Sequence, residues 1–170
     1  MLTTNIKKLL LIAVLTVWWS NSALAQDEEL VSISYVQSSI LSTDGDLFKL
    51  MDGSRWVKTG RGMILPASDI TITLTSEKGD GIAFVNGRGI EVELISGTPI
   101  LNTGLLGQVV RERGDGAILE LSDGSLWEIP QYDQYDTGYW LPPYWIIVSS
   151  DEMYLINIEE GKKVWASRVQ

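Results

Sequence analysis

The sequence predicts an all-β protein, and three observations carry that expectation. One block occurs twice: Asp44-Gly-Asp-Leu-Phe-Lys-Leu-Met-Asp-Gly-Ser-Arg-Trp56 returns as Asp115-Gly-Ala-Ile-Leu-Glu-Leu-Ser-Asp-Gly-Ser-Leu-Trp127. Turn dipeptides that tolerate positive φ punctuate the chain at Asp44, Asp52, Asp80, Asn86, Asp115 and Asp123, each followed by Gly. Between them, stretches such as Ile70–Thr75 and Ile90–Leu94 alternate at period two and are rich in β-branched residues. No stretch after Gln26 shows helical periodicity.

Residues 1–25 read as a cleaved signal peptide. Lys7 and Lys8 give a basic start, Leu9–Trp19 is apolar, and Ser22-Ala23-Leu24-Ala25 supplies the small-x-small cleavage pattern. The apolar run is well short of the ~20 residues a spanning helix needs, and no cysteine follows it to take a lipid. The expected location is periplasmic or secreted, with no membrane span in the mature chain.

Charge and absences narrow the chemistry. The leader holds two of the 13 basic residues and none of the 22 acidic ones, so the formal charge moves from −9 for the chain to −11 for the mature part. Such a surface repels phosphate backbones, which excludes nucleic acid as a partner. The chain has no cysteine, so packing alone must hold the fold, and no histidine. That removes Ser-His-Asp triads, imidazole bases and His or Cys metal sites. No cofactor is expected.

Taken in order, the elements fall into two units, 26–98 and 99–170. In the first, the repeated block forms a hairpin. A loop of Asp52-Gly53 alone would put Phe48 and Leu50 on the face opposite Trp56. A loop of Met51-Asp52-Gly53, closed by glycine in the left-handed region, pairs Leu50 with Ser54 and Phe48 with Trp56 instead. The second copy then sets Leu119, Leu121, Trp127 and Ile129 on one face. Strands over Ile70–Thr75, Ile82–Val85 and Ile90–Leu94 complete the first unit. A glycine-rich bridge, Ser96–Gly107, leads to Val109-Val110, and strands near 146–149, 154–158 and 163–166 complete the second. Five or six short strands per unit is the scale of a small SH3-like barrel, which makes the expected architecture two tandem barrels from an internal repeat. Each would be only marginally stable alone, since small domains bury little apolar surface. They should pack together, with Leu101, Leu105 and Leu106 at the junction.

The x-Leu-x-Asp-Gly-Ser-x-Trp block, followed by Tyr132-Asp-Gln-Tyr-Asp-Thr-Gly-Tyr-Trp-Leu-Pro, resembles a group of small exported bacterial proteins with no assigned activity. The resemblance is close over about 107–150 and degenerate over 36–76. It implies a β-hairpin, an aromatic segment and export, and no site.

Trp56 and Trp127, present in both copies, are expected in the core. The functional candidates are the aromatics of segment 132–145: Tyr132, Tyr135, Tyr139, Trp140, Tyr144 and Trp145. Pro130, Pro142 and Pro143 make this segment a loop or an edge. Two readings stand: a lid folded over its own barrel, or a surface that grips an extended peptide or stacks on sugar rings. Glu128, Asp133 and Asp136 have no spacing that singles out an acid/base pair, and no calcium-loop pattern embraces Asp44, Asp46, Asp133 or Asp136. Arg113-Gly114-Asp115 is accounted for by a hairpin turn. The expected function is a non-enzymatic binding or scaffold module of the bacterial envelope, its partner an envelope protein or peptide ahead of a glycan. A carboxylate-based cell-wall glycan hydrolase and a purely structural spacer are the alternatives.

Overall fold

The computed structural model describes residues 29–85, 88–140 and 142–169. The expected leader, the Asn86-Gly87 turn and Leu141 lie outside the described residues. The first six strands are β1 (Val31–Asp44), β2 (Leu47–Leu50), β3 (Arg55–Lys58), β4 (Asp69–Leu74), β5 (Asp80–Val85) and β6 (Arg88–Ser96). After them come β7 (Asn102–Arg113), β8 (Ile118–Leu121), β9 (Leu126–Glu128) and the short helix α1 (Gln134–Thr137). The last are β10 (Tyr144–Ser149), β11 (Tyr154–Asn157), β12 (Lys162–Trp165) and β13 (Ser167–Arg168).

β1–β2–β3 and β4–β5–β6 are antiparallel meanders, and the pairs β1–β4 and β3–β6 join them into a closed six-stranded barrel. Closure needs β1 to bend. Its register slips between Ile40 and Ser42, a bulge that lets one strand face β4 over Tyr35–Ser39 and β2 beyond it. Among the remaining strands, β8 joins β7 to β9, while β10, β11 and β12 follow on from the other side of β7. β9 pairs with β13, which follows β12 after Ala166.

β1 and β7 run side by side, Val31–Tyr35 against Leu106–Asn102, and carry the sheet from one half of the chain to the other. The expected bridge over Ser96–Gly107 is therefore shorter, spanning 97–101, with β6 running to Ser96 and β7 starting at Asn102. Gly104 and Gly107 lie inside β7. A Cβ at Gly104 would stand 2.5 Å from both Ile147 Cγ2 and the Val148 carbonyl oxygen, so a glycine lets β7 nest between β1 and β10.

The repeated hairpins adopt the three-residue loop. Phe48 faces Trp56, Leu119 faces Trp127, and Leu50 N–H donates to the Ser54 carbonyl as Leu121 N–H does to Ser125. Gly53 and Gly124 take φ of +89° and +79°, a region in which a Cβ is strained. The Asp-Gly-Ser-x-Trp order has a direct physical reading. Trp56 Nε1 donates to Ser54 Oγ at 2.9 Å, and that hydroxyl donates to Asp52 Oδ1 at 2.6 Å. Trp127, Ser125 and Asp123 repeat the relay at 2.9 and 2.6 Å. Each indole is buried, and its N–H would be costly to leave without a partner.

Asp52 makes one further link: its Oδ2 accepts the Ile100 N–H, which ties the hairpin to the segment before β7. Burial pushes its carboxyl up, but the bonds from Ser54 and Ile100 outweigh that and hold it below the usual range. A carboxyl depressed in the folded state contributes stability above its unfolded value, near ~3.9, and loses it as pH falls through the folded value. Asp52→Asn should therefore flatten the acid limb of the stability profile below about pH 4, as measured by urea midpoints across pH. Equal acid slopes in the two proteins would remove Asp52 from this account.

Two cores result. Val36, Ile40, Phe48, Leu50, Trp56, Ile70 and Ile72 are among those filling the barrel, and Val109, Leu119, Leu121, Trp127, Ile146 and Leu155 are among those filling the second core. Each such side chain contributes roughly 1.5–3 kcal/mol relative to exposure. A smaller cluster of Tyr35, Ile147, Ile156 and Ile158, with Phe84, Leu106 and Trp145 against it, draws on strands of both halves. Of the leucines expected at the junction only Leu106 belongs to it. Leu101 and Leu105 are exposed: Leu101 lies in the bridge before β7, and Leu105 alternates with Leu106 along β7 and so points to the opposite face. Thr71 and Thr73 are buried as well, so β4 is covered on both faces despite its alternating sequence.

Candidate functional site

The segment after β9 is not an irregular loop. Successive backbone bonds from Asp133 N–H to Pro130, Thr137 N–H to Asp133, Gly138 N–H to Gln134 and Trp140 N–H to Thr137 wind it into helical turns around α1. At that spacing Tyr132, Tyr135 and Tyr139 share one face, and Asp133, Thr137 and Trp140 share the other.

The inner face is anchored at four points. Thr137, fully buried, donates from Oγ1 to the Gly116 carbonyl at 2.8 Å. Gln134 Nε2 donates to the Ile129 carbonyl at 2.8 Å, and Asp133 Oδ2 accepts the Trp165 N–H at 2.8 Å. Trp140 enters the second core, edge-on to Tyr144 with ring centroids 5.4 Å apart. Gly116 permits this contact, since a Cβ there would lie 2.5 Å from Gly138 N and from Thr137 Oγ1.

The six candidate aromatics therefore divide. Tyr132, Tyr135 and Tyr139 are 70%, 75% and 67% exposed. Trp140 and Tyr144 are core residues and cannot reach a ligand. Trp145 is half-buried against the cluster between the halves. The segment is thus a lid on its inner face and an aromatic surface on its outer one. Thr137, Gln134 and Gly116 position the site and were not singled out by sequence reasoning. The helical spacing of the three tyrosines was the available signal.

Tyr135 and Tyr139 meet edge to face, centroids 5.2 Å apart. The Tyr135 hydroxyl beside it holds the Tyr139 phenol above its usual range. Beneath them, burial pushes the Tyr144 phenol strongly up, and Glu112 and Glu160 push it the same way.

A polar cleft of about 500 Å³ opens beside α1. Gln37, Ser38, Ser39 and Asp69 line it from the first half of the chain, and Asp136, Lys162 and Lys163 from the second. Asp136 pairs with Lys162 at 3.7 Å, and Lys163 lies 4.4 Å over the Tyr154 ring. Of the carboxylates considered for hydrolysis, Asp133 holds β12, Asp136 meets Lys162, and Glu128 is exposed on β9. Among the described residues no group of three or more His, Cys, Asp or Glu could hold a metal, and no helix is long and apolar enough to cross a membrane. Arg113 pairs with Glu120 at 2.6 Å at the end of β7, and Gly114 and Asp115 form the turn.

No protein-family model, curated protein or solved structure matches the chain.

Proposed function

We propose that this chain is an exported, non-enzymatic binding or scaffold module of the bacterial envelope that docks an extended peptide or protein segment on the outer face of α1. The observation that carries the reading is the exposure of Tyr132, Tyr135 and Tyr139 on a turn whose other face is pinned by Thr137, Asp133 and Trp140. Rings that lose little freedom on binding make efficient docking platforms. A turn needed only as a lid would gain nothing from three outward tyrosines.

The same reading takes the two halves as tandem SH3-like barrels from one repeat. The hairpin relay, the bulge at Ile40/Ser42 and at Val109/Arg111, and the order of strand pairings recur in both. The second half differs in carrying the aromatic turn, which makes it the docking half.

Tyr135→Ala with Tyr139→Ala should weaken binding to immobilised Pro-containing extended peptides by tenfold or more, while the unfolding free energy from urea titration stays within about 0.5 kcal/mol of the parent. Undiminished binding by the double variant would discard this surface.

A further inference from the structure

We infer that the segment docking on these tyrosines is basic, an extended stretch of polypeptide whose Arg or Lys side chains lie across the rings. This rests on the docking reading above and names the partner's chemistry.

The charge around the patch supports it. Asp133 and Asp136 lie on the same turn as the tyrosines. The Glu112 carboxylate accepts the N–H of Gly116, whose carbonyl receives the Thr137 hydroxyl. Glu112 and Glu160 both act on the Tyr144 phenol below the turn. Among the neighbouring cations Lys162 pairs with Asp136, Lys163 keeps its charge over the Tyr154 ring, and Arg111 and Arg113 share Glu120. The excess of negative charge near the turn therefore comes from Asp133, Glu112 and Glu160. The chain as a whole carries −9. An arriving cation thus meets a net negative surface with exposed π faces, and ring faces attract cations. The chain already uses that contact internally, in Lys163 over Tyr154. An acidic segment would be repelled, and a neutral glycan would gain nothing from the field.

The test titrates the full chain with three short peptides, Arg/Pro, Gln/Pro and Glu/Pro, and with a neutral chitooligosaccharide, followed by calorimetry. The three peptides share an extended backbone and differ in charge. Saturable binding of the Arg/Pro peptide is expected, at least tenfold tighter than Gln/Pro. It should weaken when ionic strength rises from about 0.01 to 0.1 M, as the screening length falls from ~30 to ~10 Å. Tyr135→Phe with Tyr139→Phe should retain it, because the ring faces remain, and the paired alanine substitutions should abolish it. Equal binding of Arg/Pro and Gln/Pro, both lost in the alanine variant, would overturn the charge inference and leave the docking surface standing. Binding of the chitooligosaccharide alone would overturn the choice of polypeptide. Arg/Pro binding unchanged by the alanine substitutions would overturn both inferences.

Discussion

Trp140→Ala should lower the unfolding free energy by about 3–5 kcal/mol, the usual cost of removing a large buried ring. Trp140 is 2% exposed, packs edge-on against Tyr144 and sits with Val109, Trp127 and Ile146 in the second core. Its Nε1 finds no hydrogen-bond partner among the described residues, so the residue contributes through its ring. Trp140→Phe keeps most of that ring and removes the unpaired N–H, and should cost less than about 1.5 kcal/mol. Tyr135→Ala, one helical turn away on the opposite face, should stay within about 0.5 kcal/mol. Urea unfolding of the three variants decides the matter. If Trp140→Ala melts with Tyr135→Ala, the turn does not anchor through Trp140, and the division into inner and outer faces is wrong.

Gly104→Ala is the second large effect. The new methyl would meet the Val148 carbonyl oxygen and Ile147 Cγ2, each at 2.5 Å, with the Tyr35 ring 3.3 Å away. A flexible side chain could swing aside, but a backbone carbonyl inside a paired strand cannot move without disturbing β10. Overpacking of this kind costs about 1–3 kcal/mol and occasionally more. The expected result is a lower urea midpoint together with a shifted Trp145 emission, because Trp145 packs in the cluster that must adjust. An unchanged midpoint and emission would mean that β7 is not held between β1 and β10 as described.

The hairpin was fully legible in the sequence. Period-two alternation allows one register that keeps Phe48, Leu50 and Trp56 on a common face, and a slip of one residue would invert them all. The aromatic segment was legible in part. Its prolines point to a loop, and the tyrosine spacing does not by itself mark a helical turn, because one turn is too short to show periodicity. Trp140 could not be told from Tyr139 by composition. Which of two adjacent rings is buried depends on where Thr137 and Asp133 are anchored, and their partners Gly116 and Trp165 are distant in sequence.

The sequence by itself determined the all-β class, the three-residue loops, the apolar faces of both hairpins and the core role of Trp56 and Trp127. These follow from local rules: side-chain alternation, glycine where φ is positive, and an indole N–H two residues from a serine. The tertiary structure alone decided that β1 and β7 share one sheet, that Gly104 is a strand residue rather than a linker, and that Thr71 and Thr73 are covered. It also decided that the tyrosines face outward while Trp140 and Tyr144 face in. Each of these depends on contacts between residues far apart in the chain, where burial is set by what arrives on the other side, and no local pattern encodes that.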